Sequence, residues 1–185
     1  MRGSPTSGSP PSPVGARATG PRRNAVRTAV VITASTRAAA CVYDDRSGPI
    51  AAQALRQWGF HVDEPVVVAD GPAVGEALRA AISSGADLVL TTGGTGLSPT
   101  DSTPEQTSPL LDRQVPGIPE ALRAAGVANG VAGAILSRGL AGVAGRTLVV
   151  NLPGSTGGVR DAIDVLCPVV EHALDQIAGG DHRRE

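Results

Sequence analysis

Apolar positions along the chain switch between two periods. Thr28-Ala29-Val30-Val31-Ile32-Thr33 is a short β-branched run with no polar face, the pattern of a strand buried on both sides. After a loop from Ala34 to Asp45, Ile50, Ala54, Leu55 and Trp58 recur at helical spacing until Gly59 stops them. Val66-Val67-Val68 reads as a second strand. It ends in Asp70-Gly71-Pro72, where proline suits a first helical position. Val74, Leu78, Ala81 and Ile82 mark the next helix, closed by Gly85, and Asp87 to Thr92 forms a third strand. Thr103-Pro104-Glu105-Gln106 signals another helix, with Thr103 as N-cap and Gln106 completing a capping box. Pro119 to Gly126 predicts a helix, Ala134-Ile135-Leu136 a short strand and Thr147 to Leu152 a clear one. A last helix is expected from Gly158 to Ala178, kinked at Pro168.

Strands alternating with helices predict a parallel, doubly wound α/β domain. In such sheets ligands bind beyond the carboxyl ends of the strands. Three strand ends here carry unusual loops: Asp70-Gly71, Gly93 to Asp101, and Pro153 to Gly158. The expected organisation is a disordered tail over 1–26, rich in Ser, Pro, Gly and Arg, one domain over 27–180, and a short tail over 181–185.

Composition narrows the chemistry. The 185 residues are 41% hydrophobic and 18% charged, enough apolar material for one core. All 16 basic residues are arginine, which excludes a Walker-type phosphate loop and a Schiff-base mechanism, both of which need lysine. A net charge of -1 and single Trp, Tyr and Phe residues argue against a nucleic-acid platform. Three scattered histidines and two cysteines do not make a structural zinc site. Cys41 and Cys167 are read as small buried residues or free thiols, which suits the cytoplasm. No apolar run approaches the ~20 residues that span a bilayer, and the N-terminus lacks the apolar core of a signal peptide.

The densest candidate chemistry lies in Thr91 to Thr107, TTGGTGLSPTDSTPEQT, directly after a buried strand. Gly93, Gly94 and Gly96 allow positive φ and close ligand approach, so that successive amides can cradle an anion. Asp101 follows at the start of a helix; magnesium bridging a carboxylate to a phosphate would reconcile the acid with an anion site. The plain alternative is a tight strand–helix turn in which Asp101 is a local acceptor. Asn151 to Gly158, NLPGSTGG, repeats the glycine-rich pattern with Ser155 and Thr156, either as ligand donors or as helix caps. Asp70 is a second strand-end carboxylate that is either a magnesium partner of Asp101 or a turn residue. Arg138 is either a phosphate clamp or a solvated side chain.

These segments resemble the Mog/MoaB family of molybdenum-cofactor biosynthesis. TGGTG followed by an Asp and TPE carries the likeness, together with STRAAACVYDDRSG from Ser35 to Gly48, Pro116-Gly117, Leu136-Ser137-Arg138 and Asn151-Leu152-Pro153-Gly154. The resemblance spans Thr28 to Ala178. It implies a three-layer α/β fold with a mostly parallel sheet and helices on both faces, assembled as a homotrimer. It also implies adenylylation: the terminal phosphate of molybdopterin attacks the α-phosphate of Mg-ATP, giving adenylyl-molybdopterin and pyrophosphate. Asp70 and Asp101 fall on the family's carboxylates and would hold Mg2+. Ser35, Thr92, Gly93, Gly94, Thr95, Gly96, Thr103, Glu105, Ser137, Arg138, Asn151, Pro153, Gly154 and Ser155 fall on its ligand-holding regions. Three positions depart from the pattern. Thr100 stands where the family often has Arg, with Arg138 or Arg37 as the available substitutes. Thr36 and Cys41 stand where many relatives have Asp and Gly. A molybdopterin-binding protein without catalysis is the alternative; a related domain of the same fold and a trimeric scaffold are weaker ones.

Overall fold

The computed structural model describes residues 26–180. The expected tails, 1–26 and 181–185, lie outside the described residues except for Val26, which is exposed. The strands are β1 (Thr28–Ala34), β2 (His61–Val62), β3 (Val66–Val68), β4 (Leu88–Thr92), β5 (Arg113–Gln114), β6 (Ala141–Ala144) and β7 (Thr147–Leu152). They form a seven-stranded sheet in the order β2-β1-β4-β7-β6-β5, with β3 also paired to β1. The pairs among β1, β2, β3, β4 and β7 are parallel, while β6 runs antiparallel to both β7 and β5.

The helices are α1 (Thr36–Ala39), α2 (Ser47–Gln57), α3 (Pro72–Ser83), α4 (Thr103–Thr107), α5 (Gly117–Ala128), α6 (Thr156–Leu166) and α7 (Val170–Ile177). Strand alternation divides the core between the two faces of the sheet. On one face Val31, Leu88, Leu90, Leu148 and Val150 pack against Leu55 of α2, Leu122 of α5, Val159 and Leu166 of α6, and Leu174 of α7. On the other, Ile32, Val89 and Val149 pack against Val74, Leu78 and Ala81 of α3. The result is the three-layer α/β fold that the resemblance implied. Because β1 leads to β2 and β3 on one side and β4 on the other, the chain reverses direction between β1 and β4, and a crevice opens there.

Four expectations need correction. Ala134 to Leu136 is a 3-10 turn (Ala132–Leu136) rather than a strand, its amide at Ala134 bonded back to Val131. The strand beside β7 is instead β6, a run of Ala, Gly and Val in which Gly142 lets the Arg113 carbonyl come within 2.4 Å of where a Cβ would sit. Pro168 does not kink one long helix. Lacking an amide hydrogen and crowding the preceding turn, it separates α6 from α7. The loop after β1 contains α1, capped by Ser35. Of the two readings of Cys41 and Cys167, free thiols holds and burial does not, since both are exposed.

Cys41 ends the turn after α1 at φ 54°, the one positive-φ residue other than glycine among the described residues. A side chain in the left-handed region costs about 1–2 kcal/mol, against which glycine's extra unfolded-state freedom costs about 0.5–1. Cys41→Gly is therefore expected to raise stability by roughly 0.5–1 kcal/mol. Urea unfolding would show it as a higher midpoint with an unchanged slope.

Candidate functional site

Two connected hollows lie at the carboxyl ends of β1, β4 and β7. One is polar, of about 850 Å3, and is lined by Ser35, Thr36, Arg37, Asp45, Asp70 and Thr100 among others. The other, about 400 Å3, is mostly apolar, with Pro119, Leu122, Val131, Ala134, Leu136 and Pro153 in its wall. Gly93, Gly94, Asp101 and Gly154 border both.

The glycine loop after β4 is shaped by close backbone approach. Gly93 has φ 88°, and a Cβ there would lie 2.4 Å from the Ala34 carbonyl oxygen at the end of β1. A Cβ on Gly154 would lie 3.1 Å from the Gly93 Cα, so the turn after β7 rests on the same point. Gly94 has φ 62°, and the space beside it is filled by Thr103 Oγ1 and Asp70 Oδ1, at 2.4 and 3.1 Å from an ideal Cβ. The amides of Gly94, Thr95 and Gly96 donate to no other described group. Such free amides in succession suit an anion.

Arg138 holds this loop from behind. Its backbone amide donates to the Thr95 carbonyl at 2.8 Å, Nε to Gly96 O at 2.8 Å and Nη2 to Asp101 O at 2.8 Å. Nη1 pairs with Glu105. The hydrogen bond from Arg138 is the main cause that holds the Glu105 carboxyl below its ordinary range. That contribution is present above the ordinary carboxylate pKa and fades as pH falls through the lowered one. Arg138 and Glu105 thus hold each other and the loop, a task that neither reading from the sequence, phosphate clamp or solvated side chain, had assigned to Arg138. The Ser137 hydroxyl is 3.5 Å from Thr95 Oγ1 and lines the apolar hollow.

Both acids have one oxygen engaged and one without a partner among the described residues. Asp70 Oδ2 accepts from the Thr36 amide and hydroxyl, each at 2.9 Å, leaving Oδ1 beside Gly94. Asp101 Oδ2 accepts from the Ser98 amide at 3.0 Å, the turn role that the plain alternative assigned to it, and leaves Oδ1. Thr103 is not the N-cap. Its amide donates to the Gly94 carbonyl at 3.0 Å, which draws the helix start onto the loop, so Ser102 takes the cap position and no capping box forms. The Thr103 hydroxyl is buried without a hydrogen-bond partner.

Several expected site residues serve the scaffold. Thr92 is fully buried and bonds Ser47 Oγ at 2.9 Å and Thr33 Oγ1 at 3.4 Å. Ser35 caps α1 and bonds the Tyr43 hydroxyl at 2.8 Å. Ser155 caps α6 through the Gly158 amide, while Pro153 and Gly154 line the apolar hollow. Asn151 is 2% exposed; its amide nitrogen donates to Thr91 and Thr107, both at 3.0 Å, and its oxygen accepts from Leu140 N at 3.0 Å. Removing that side chain deletes three hydrogen bonds and leaves the buried Thr91 hydroxyl without its partner, so Asn151→Ala should cost about 3 kcal/mol in chemical unfolding. A cost under about 0.5 kcal/mol would show that Asn151 is not the tie between β7, β4 and α4.

Sequence reasoning missed part of the polar hollow. Thr33 Oγ1 donates to Asp45 Oδ2 at 2.7 Å, and Asp45 Oδ1 accepts from the amides of Ser47 and Gly48, both at 3.0 Å. With Thr92 these residues form a floor of hydroxyls around a fixed carboxylate. The advance signs were hydroxyl residues at the ends of two buried strands and the family likeness of Ser35 to Gly48, which contains Asp45.

A mostly parallel sheet with a glycine-lined crevice at its switch point defines an α/β ligand-binding domain with an anion-ready loop. Comparison then gives the family: the profile described as "Probable molybdopterin binding domain" matches residues 30–172, and the chain belongs to this family, in its Mog/MoaB group. It is 34% identical over 156 residues to a molybdopterin adenylyltransferase of Helicobacter pylori, covering 80% of this chain and 86% of that protein. It is 42% identical over 155 residues to a molybdenum cofactor biosynthesis bifunctional protein of Synechococcus elongatus, covering 83% of this chain. The chain spans about half of that relative, 48% of its length. The solved structure of the molybdopterin biosynthesis Mog protein from Mycobacterium ulcerans superposes with a TM-score of 0.78 at 59% identity, covering 82% of this chain and 99% of that one. The latter two relatives are named for molybdenum cofactor or molybdopterin biosynthesis. Among the described residues no helix is long and apolar enough to cross a membrane.

Proposed function

We propose that this chain is a molybdopterin adenylyltransferase, which joins the AMP moiety of ATP to the terminal phosphate of molybdopterin and releases pyrophosphate. The observation that carries this reading is the sharing of Gly93, Gly94 and Asp101 by a polar and an apolar hollow. The triphosphate belongs in the polar hollow and the pterin in the apolar one, so the reacting phosphates meet at the shared loop. Such a transfer needs positioning and charge neutralisation more than a protein nucleophile.

The residues present fit a magnesium ion. The free oxygens of Asp70 and Asp101 are hard ligands, and the orphaned Thr103 hydroxyl sits beside Asp70 across Gly94. Magnesium takes one or two carboxylates and completes its shell with phosphates and water. When bound, the ion would offset charge on the triphosphate. The chain's own residues do the rest. Thr36 aims Asp70, the Ser98 amide aims Asp101, Arg138 fixes the loop carbonyls, and the free amides of Gly94 to Gly96 receive phosphate oxygens. A homotrimer working in the cytoplasm completes the same reading.

Two hollows require that ATP and molybdopterin bind together. Calorimetric titration of ATP into the molybdopterin-loaded protein should show ATP affinity at least equal to that of the free protein. Mutual exclusion of the two ligands would overturn the assignment of one hollow to each.

A further inference from the structure

The polar hollow poses a charge problem that the two magnesium-facing acids deepen. Asp44, Asp45, Asp70 and Asp101 all line it, and Arg37 and Arg46 are the cations in its lining among the described residues. Arg138 is committed to loop carbonyls and Glu105, and position 100 is a neutral threonine. A triphosphate placed there needs a cation from the protein as well as a metal.

We infer that Arg37 is the triphosphate-binding arginine of this chain, held in readiness by Tyr43 and Ser35; the inference rests on the proposed use of ATP. Its guanidinium lies over the Tyr43 ring, 5.4 Å from the centroid. The Tyr43 hydroxyl bonds Ser35 Oγ at 2.8 Å, and that same oxygen accepts from the Ala38 amide at 3.2 Å, capping the turn that carries Arg37. One serine therefore ties both the ring and the helical turn. Stacking occupies the face of the guanidinium and leaves its in-plane N–H donors available, and the Arg37 side chain forms no ion pair or hydrogen bond with any other described residue. Arg46 lines the same hollow but has no ring or hydrogen bond to fix it among the described residues. Arg37 lines the polar hollow and not the apolar one, so with the α-phosphate at the loop that borders both, Arg37 meets the β- and γ-phosphates.

The test is calorimetric binding of Mg-ATP and of AMP to the full chain carrying Arg37→Gln, Arg37→Lys or Tyr43→Leu. Arg37→Gln should weaken ATP about tenfold while leaving AMP nearly unchanged, the loss of a charge-assisted contact made only to the outer phosphates. Arg37→Lys should recover part of the loss, since it restores charge without the planar fork. Tyr43→Leu should weaken ATP in the same direction by freeing the guanidinium. Unchanged ATP affinity in Arg37→Gln, or equal losses for ATP and AMP, would overturn the inference and leave the adenylyltransferase reading standing. Absence of ATP binding to the unaltered chain would overturn both.

Discussion

Asp101→Asn should lower adenylyl transfer by at least about a hundredfold while molybdopterin binding stays close to that of the unaltered chain. The side chain keeps its shape, and an Asn oxygen can still accept from the Ser98 amide, so the turn survives. What is lost is the negative charge at the border of the two hollows, where a magnesium ion would be held against phosphate. The substitution thus separates the two roles that the sequence left open for Asp101. A purely structural turn acceptor predicts near-normal transfer. Steady-state transfer and pterin titration on the same preparation decide between them, and a joint loss of binding and fold would contradict the assignment.

Gly93→Ala should be strongly destabilising. At φ 88° any side chain is strained, and its Cβ would lie 2.4 Å from the Ala34 carbonyl oxygen, a backbone atom that cannot turn aside. The expected cost is about 2–4 kcal/mol, and for a domain of this size a fall in Tm on the order of 10 °C. Both ligands should bind weakly, because Gly93 borders both hollows and supports Gly154. Gly117→Ala is the control: it has ordinary φ and nothing within 4 Å of its Cβ, and should change stability by less than about 0.5 kcal/mol. Equal melting temperatures for the two variants would show that the close approach at Gly93 is not what shapes the loop.

The central strands β1, β4 and β7 were legible because they are buried on both faces and so read as β-rich runs without a charged residue, as in Leu88 to Thr92, whereas the two-residue β2 was not. The antiparallel half was not. β5 is two exposed polar residues, and β6 depends on small residues chosen for close approach rather than for β-propensity. Exposed Ile135 and Leu136 imitated a strand because apolar residues in a short run carry no period. The candidate loops were legible through their glycines, whose backbone demands leave a mark in sequence. Partnership was not. That Arg138 is spent on the loop, that Thr36 aims Asp70, and that Ser35 braces Tyr43 beneath Arg37 all depend on contacts between segments distant in sequence or across turns, which no local pattern encodes.

Asp70, Asp101 and the glycine loop between the hollows are proposed to form a magnesium-dependent transfer centre. The most direct measurement is transfer from α-labelled ATP to molybdopterin, with and without magnesium. The expected products are labelled adenylyl-molybdopterin and an equal yield of pyrophosphate, both dependent on magnesium. Tight molybdopterin binding with no labelled product at any magnesium concentration would contradict the proposal and make this chain a carrier of the pterin rather than its adenylylating enzyme.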